Sequence, residues 1–413
     1  MKQHRGVLIC ILGSVIATVN GYRPLTNKGR ISLVTMAFGL LVSEFPLQTL
    51  VAQGGALTLA SRRLSRQARR RAWLLSALMW LGLLGLKRAG REAEAALSAA
   101  LKADLDTMPP IEPEQLWRRP PPHGATAKTP GALRMLRIYR DYAHGSDISY
   151  GPHGTANLLD VWSRPDLDPG ERAPVLLQVP GGAWASGNKR GQAHPLMSHL
   201  AELGWVCVSI NYRLSPRHTW PDHFVDVKRA IAWVKDNIAD YGGDPDFIAV
   251  TGGSAGGHLS ALAALTPNHA PFQPGFADAD TSVQAAIPFY GVYDFTDAAL
   301  HPMMLPFLET KVMKRSRADS LDCFRAASPI SYAGPHAPPF FVLHGTNDSF
   351  IPVHQARSFT ARLREVSCQP VVYAELPFAQ HAFDVFGSAR AAHAAVAVER
   401  FLAQIYAERL LAA

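Results

Sequence analysis

Residues 247–265 change hydrophobic character within six positions, and only a tight strand-to-helix turn accommodates the change. Residues 247–251 (Phe-Ile-Ala-Val-Thr) are apolar and largely β-branched, the composition of a buried strand. Residues 258–265 are rich in alanine and leucine, which favour helix. Gly252-Gly253-Ser254-Ala255-Gly256-Gly257 joins them and contains the pattern G-x-S-x-G. Flanking glycines let the backbone turn sharply and keep side chains away, so a serine at the apex is pushed out where another molecule can reach it. A glycine-rich turn that only packs a helix against a strand has the same composition. What separates the two readings is whether the chain supplies partners for Ser254.

The surrounding sequence supplies a frame. From about residue 137, strand and helix patterns alternate. Residues 137–142 and 158–162 read as an antiparallel start, and 175–179, 205–210, 247–251, 285–289, 340–343 and 371–375 as further strands. Residues 224–238 have helical spacing, and 389–411 form a closing helix. Continuous apolar strands alternating with helices imply an α/β fold: a mostly parallel central sheet flanked by helices. Loops at the carboxyl ends of such strands carry the chemistry. Residues 295–338 lack strand signals and are rich in Met, Pro and Arg, which predicts a small helical cap over that end.

A serine hydroxyl is a weak nucleophile and needs a general base, itself oriented by a carboxylate. In this architecture the chain order is Ser, then Asp or Glu, then His. Asp348 follows the strand at 340–343, and His381 follows the strand at 371–375. Asp384 and Glu375 are rivals for the acid, but neither follows the strand before the histidine strand. Asp348 could instead cap a helix starting near Pro352, and His381 is one of 16 histidines. Negative charge developing on a substrate oxygen needs donors. Pro180-Gly181-Gly182-Ala183-Trp184, after the strand at 175–179, offers successive backbone N–H groups, and Ala255 offers one from its helix start.

Taken together, residues 137–410 resemble an α/β-hydrolase of the hormone-sensitive-lipase-like carboxylesterase group. The matching pieces are Pro180–Trp184, Asn211-Tyr-Arg-Leu-Ser-Pro216, Gly243-Asp-Pro245, Gly252–His258, His344-Gly-Thr-Asn-Asp348 and His381. The resemblance implies Ser254 as nucleophile, His381 as base, Asp348 as its orienting acid, and Gly181, Gly182, Ala183 and Ala255 around the oxyanion. It also implies hydrolysis of short- to medium-chain carboxylic esters with no metal or cofactor. The group usually begins the oxyanion loop with His-Gly-Gly, and Pro180 replaces that histidine, which predicts altered loop rigidity with activity retained. Kynurenine-formamidase-like enzymes share a related layout, so an amide or formamide hydrolase is the alternative. A binding protein on a hydrolase scaffold is a third reading, though such proteins usually lose a triad member and none is missing here.

The first third of the chain has a different character. Residues 1–137 hold 20 Lys and Arg against 7 Asp and Glu, a balance of +13, whereas 138–413 balance at −5. The overall +8 therefore belongs to the N-terminal region, and the remainder lacks the clustered cations that a nucleic-acid surface needs. Three apolar runs, 7–19, 31–51 (interrupted by Glu44 and Pro46) and 72–86, flank an arginine-rich segment at 62–71. They predict a membrane-associated helical region resembling that of mycobacterial esterases of this group. With 62–71 in the cytoplasm and all three runs spanning, everything after Leu86 is extracytoplasmic, although Arg23, Lys28 and Arg30 would then also lie outside. Residues 92–106 read as a polar helix. Seven prolines between 109 and 130 forbid a regular element there. The expected division is thus 1–107 helical and membrane-associated, 108–136 linker, and 137–413 catalytic domain. Four cysteines leave the compartment open, with Cys323 and Cys368 the conceivable pair.

Overall fold

The computed structural model describes residues 2–26, 31–62, 64–105 and 141–412. The expected linker at 108–136 lies outside the described residues, as do positions 137–140 of the first expected strand. The eight strands are β1 (Ala143–Ser149), β2 (Leu158–Trp162), β3 (Ala173–Val179), β4 (Val206–Ile210), β5 (Gly243–Gly253), β6 (Ala285–Phe289), β7 (Phe340–Gly345) and β8 (Val371–Leu376). They form one sheet in the order β1-β2-β4-β3-β5-β6-β7-β8. Strand β2 pairs antiparallel with β1 and β4, and every other pairing is parallel. This is the expected α/β-hydrolase architecture, with its first strand beginning at Ala143.

Alternation along the parallel strands sends side chains to two faces. Val175, Leu177, Ile248, Val250 and Val342 enter one core, with helices α6 (Asp222–Asn237), α7 (Ala255–Leu265) and α8 (His354–Val366). Leu176, Cys207, Ala249, Ile287 and Leu343 enter the other, with α5 (His194–Glu202) and α9 (Ala389–Ala412). The segment at 295–338 forms the predicted cap from short helical pieces, including Met304–Phe307 and Leu321–Ala326. All four cysteines are free thiols, so Cys323 and Cys368 are not bridged.

The N-terminal region comprises α1 (Lys2–Tyr22), α2 (Ile31–Glu44), α3 (Pro46–Ser61) and α4 (Arg66–Leu105). Helix α4 has 40 residues, about 60 Å at 1.5 Å per residue. Residues 92–106 are therefore not a separate polar helix: as far as Leu105 they continue α4. Ala93, Leu97 and Leu101 recur at four-residue spacing and are buried in the second core. Leu83 and Leu86 of the same helix are buried in the helical bundle.

Arg5–Tyr22 (mean hydropathy 1.4) and a stretch of α4 (1.2) are long and apolar enough to cross a membrane. Helices α2 and α3 pass that test only as a pair and are bent by 102°. The bend falls where Glu44 and Pro46 interrupt the apolar run. Proline at the first position of a helix cannot continue the preceding one. Glu44 is buried because it pairs with the equally buried Arg390 of α9. Among the described residues, large exposed apolar side chains are concentrated in 8–84, outside which only Leu321, Phe386, Leu410 and Leu411 qualify. Val7, Leu57, Leu64 and Ala72 form one cluster, which puts the amino end of α1 beside the arginine-rich turn. The other ends of α1 and α2 meet the α/β domain, at Asn347 and Arg390.

Removing one member of a buried ion pair leaves the other charge stranded. Arg390→Leu is expected to lower the stability of the detergent-solubilised full chain by about 3–5 kcal/mol, read as a fall in the denaturant midpoint. An unchanged midpoint would show that the pair contributes nothing net.

Candidate active site

Strand β5 ends at Gly253, and α7 begins at Ala255. Ser254 alone makes the turn, at φ 59° and ψ −119°, a region that non-glycine residues rarely occupy. Its N–H donates to the Phe289 carbonyl at 3.0 Å, and its carbonyl accepts from His258 N–H at 3.0 Å, so the helix starts without delay. The turn depends on missing side chains. A Cβ on Gly256 would lie 2.0 Å from the Val179 carbonyl oxygen, and one on Gly252 would lie 2.5 Å from the same atom. Ser254 is half-buried while both of its neighbours are buried, so the turn delivers the hydroxyl outward.

The loops after β7 and β8 bring Asp348 and His381 together. His381 Nδ1 lies 2.7 Å from Asp348 Oδ2. The other carboxylate oxygen accepts from the N–H groups of Phe350 and Ile351, at 2.9 and 2.7 Å. His344 Nε2 adds a contact at 3.3 Å. Asp348 therefore caps no helix: α8 begins at His354, and its cap residue Val353 offers no side-chain bond. Burial alone would raise the Asp348 carboxyl. The charge of His381 and the hydrogen bonds from His344 and His381 outweigh burial and hold it well below the ordinary carboxylate range.

The rival acids are engaged elsewhere. Glu375 is paired with Arg357 at 2.6 Å. Asp384 accepts a hydrogen bond from the Tyr290 hydroxyl, and burial pushes its pKa up to about 6. Tyr290 packs against the His381 ring and closes on Gly253. Its ring centroid lies 4.6 Å from that of His381, and a Cβ on Gly253 would meet its hydroxyl at 2.6 Å. No hydrogen bond joins the Ser254 hydroxyl to His381 in this structure; such bonds often tighten only with substrate present.

The loop after β3 passes close to the same turn. A Cβ on Gly181 would lie 2.4 Å from the Gly253 carbonyl oxygen. Gly182, Ala183 and Trp184 all have positive φ, at 127°, 52° and 58°. Of the four expected donors, Gly181 drops out, because its N–H donates to Gln192 Oε1 at 2.8 Å. The N–H groups of Gly182 and Ala183 have no backbone partner among the described residues. Pro180 is held through its carbonyl, which accepts from the Tyr212 hydroxyl at 2.8 Å. Trp184 Nε1 donates to His258 Nδ1 at 3.1 Å, and His258 Nε2 donates to the Ala327 carbonyl at 2.7 Å. These two bonds fix the tautomer of His258. Burial pushes its pKa down to about 3, so it stays neutral.

Sequence reasoning missed Gln192, Tyr290 and Gln380. Gln192 binds Gly181 11 residues away, Tyr290 binds Asp384 94 residues away and Gln380 binds Ser349 31 residues away, and none carries a local signal. Among the described residues, no group of three or more His, Cys, Asp or Glu side chains could hold a metal ion. A cavity of about 580 Å³ lined by Phe247, Pro339 and Gln369 lies at the amino ends of β5, β7 and β8, the opposite edge from Ser254.

The family model described as BD-FAE matches residues 159–363. Over 404 residues the chain is 63% identical to "Probable carboxylic ester hydrolase LipM" of Mycobacterium tuberculosis, covering 97% of this chain and 94% of that one. It is 52% identical to "Esterase LipQ" of the same organism, covering 90% and 85%. Among solved structures, Thermogutta terrifontis esterase 2 phosphonylated by sarin aligns with a TM-score of 0.54 at 25% identity, covering 64% of this chain and 95% of that one.

A carboxylate whose pKa is depressed by folding contributes stability that is fully present above its unfolded pKa and is lost as pH falls toward the folded value. The folded value of Asp348 is depressed. The stability gap between wild type and Asp348→Asn is therefore expected to be constant near neutrality and to narrow below about pH 4. Denaturant midpoints across pH 3 to 7 check this; a gap that widened in acid would mean the carboxyl is protonated in the fold.

Proposed function

Since the chain belongs to the carboxylic ester hydrolases, in the hormone-sensitive-lipase-like group that includes its mycobacterial relatives, we propose that it cleaves esters through an acyl-enzyme on Ser254. The observation that carries the reading is the bond between His381 Nδ1 and the buried, ionised Asp348. That bond places the proton on Nδ1 and leaves Nε2 free to act as base. Ser254 Oγ attacks the acyl carbon while His381 takes its proton. The developing oxyanion accepts from the N–H groups of Gly182, Ala183 and Ala255, the last at the positive end of α7. His381 then protonates the departing alcohol, and a water deprotonated by His381 hydrolyses the acyl-enzyme. Thermogutta terrifontis esterase 2 has been solved with butyrate bound, at 26% identity and a TM-score of 0.52. That supports short- to medium-chain acyl groups as substrates here.

We further infer that the N-terminal helices hold the enzyme in a membrane. The basic amino end of α1 and the arginines at the start of α4 lie at one end of the bundle, and the catalytic domain lies at the other. The positive-inside rule then puts the catalytic domain on the extracytoplasmic side.

Purified full-length protein should hydrolyse p-nitrophenyl butyrate and be labelled by a fluorophosphonate probe. Ser254→Ala should abolish both with an unchanged denaturant midpoint, and Asp348→Asn should lower turnover by roughly 10⁴. Labelling that survives Ser254→Ala would sink the serine mechanism, and faster turnover of N-formylkynurenine than of the ester would point to the amide reading. For topology, the protein should stay in the pellet after carbonate extraction, and exposed Cys368 should react with an impermeant maleimide on intact cells. Release into the supernatant would end the spanning model.

A further inference from the structure

The residues on either side of Asp348 and His381 bind the N-terminal helices. Asn347 Nδ2 donates to the carbonyls of Gly21 and Tyr22, at 3.0 and 2.8 Å. The last carbonyls of a helix have no donor within it, so the residue before Asp348 caps α1. The N–H of Asn347 donates to the Ala379 carbonyl at 3.0 Å. One residue thus joins the end of α1, the loop of the acid and the loop of the base.

Gln380 makes a parallel link. Its Oε1 accepts from Ser349 N–H at 2.7 Å and from His381 N–H at 2.9 Å, tying the two loops together. Its buried Nε2 has no hydrogen-bond partner and faces α2, where a Cβ on Gly39 would lie 3.2 Å away. The same surface closes around these polar groups. The Tyr22 and Phe378 rings meet edge to face at 5.1 Å. Arg390 binds both Glu44 of α2 and, at 3.0 Å, the carbonyl of Pro377. The segments at 347–349 and 377–381 therefore rest on the ends of α1 and α2.

We propose that Asn347 is a positioning residue for the acid–base pair and that the N-terminal helices complete the active site through it. The inference rests on the roles assigned above to Ser254, Asp348 and His381. A contact serving only to dock two regions would affect stability and leave the chemistry of the folded protein alone. A positioning contact acts on the step in which His381 moves protons.

The test uses the full chain in detergent micelles with a p-nitrophenyl ester. Asn347→Asp keeps the shape but removes the donor and sets a carboxylate against the carbonyls of α1. It is expected to lower kcat by about 10- to 100-fold, with KM within about twofold and the acid limb of the pH–rate profile displaced. Asn347→Gln, which keeps the carboxamide, should recover part of that loss. Ser254→Ala is assayed alongside. If it stays active, the serine reading fails first. If it is dead while Asn347→Asp matches wild type in kcat and pH profile, the positioning role alone is overturned. Should Asn347→Asp not fold, Asn347→Ala, which removes the donor without adding a charge, decides: reduced kcat with a displaced acid limb supports the role, and unaltered kcat and profile overturn it.

Discussion

The contact between the Ser254 turn and the end of β3 is the constraint from which the rest of the site follows. Gly256 leaves no room for a Cβ beside the Val179 carbonyl, and Gly181 leaves none beside the Gly253 carbonyl. Two backbones therefore touch without side chains between them, and the loop that follows β3 has to pass over the nucleophile turn. The turn itself is strained; a non-glycine residue in such a conformation costs about 1–3 kcal/mol. What offsets that cost is α7, all of whose residues are buried. The helix is anchored in the core, the strand is fixed in the sheet, and Ser254 is left to absorb the mismatch.

Around that contact, buried polar groups do what apolar packing cannot: they set angles. The chain Trp184–His258–Ala327 runs from the loop after β3 through α7 to the cap. Its central histidine is stacked on Phe295 at 4.6 Å and kept neutral by burial, so each bond has one donor and one direction. Gln192 and Tyr212 hold the other side of the same loop. Donors fixed before substrate arrives need not reorganise as charge develops, which is the condition for electrostatic stabilisation of a transition state. Pro180 fits this scheme: with its carbonyl held by Tyr212, the loop has a support that a histidine side chain would otherwise supply.

The sheet was legible because its strands are buried on both faces and read as continuous apolar runs. Ser254, Asp348 and His381 were legible because each follows such a run. Helix α5 was not, being short, and α8 showed only as a start near Pro352, because it is largely polar and carries its few apolar positions on one face. The segment at 92–105 looked polar because its buried residues are mostly alanine and leucine at wide spacing among charges. Gly181 looked like a donor because nothing near it in the chain indicates that Gln192 will claim its N–H. Glu44 looked like a defect in an apolar run because its partner, Arg390, lies 346 residues away. In each case the missing information is a contact between segments, which local composition does not encode.

Helix α4 decides how the two regions move relative to each other. Leu83 and Leu86 are buried in the bundle, and Ala93, Leu97 and Leu101 of the same helix are buried against the sheet. About two turns separate the two sets, and no break in helical structure lies between them. A hinge there would have to melt helix and expose both sets of apolar side chains. The ends of α1 and α2 add a second attachment, by Asn347 and Arg390, on the side of the catalytic loops. A second attachment restricts the rotation that a single tether allows. The active site consequently keeps one orientation to the bundle, and a bilayer around that bundle would always meet the catalytic loops from the same direction.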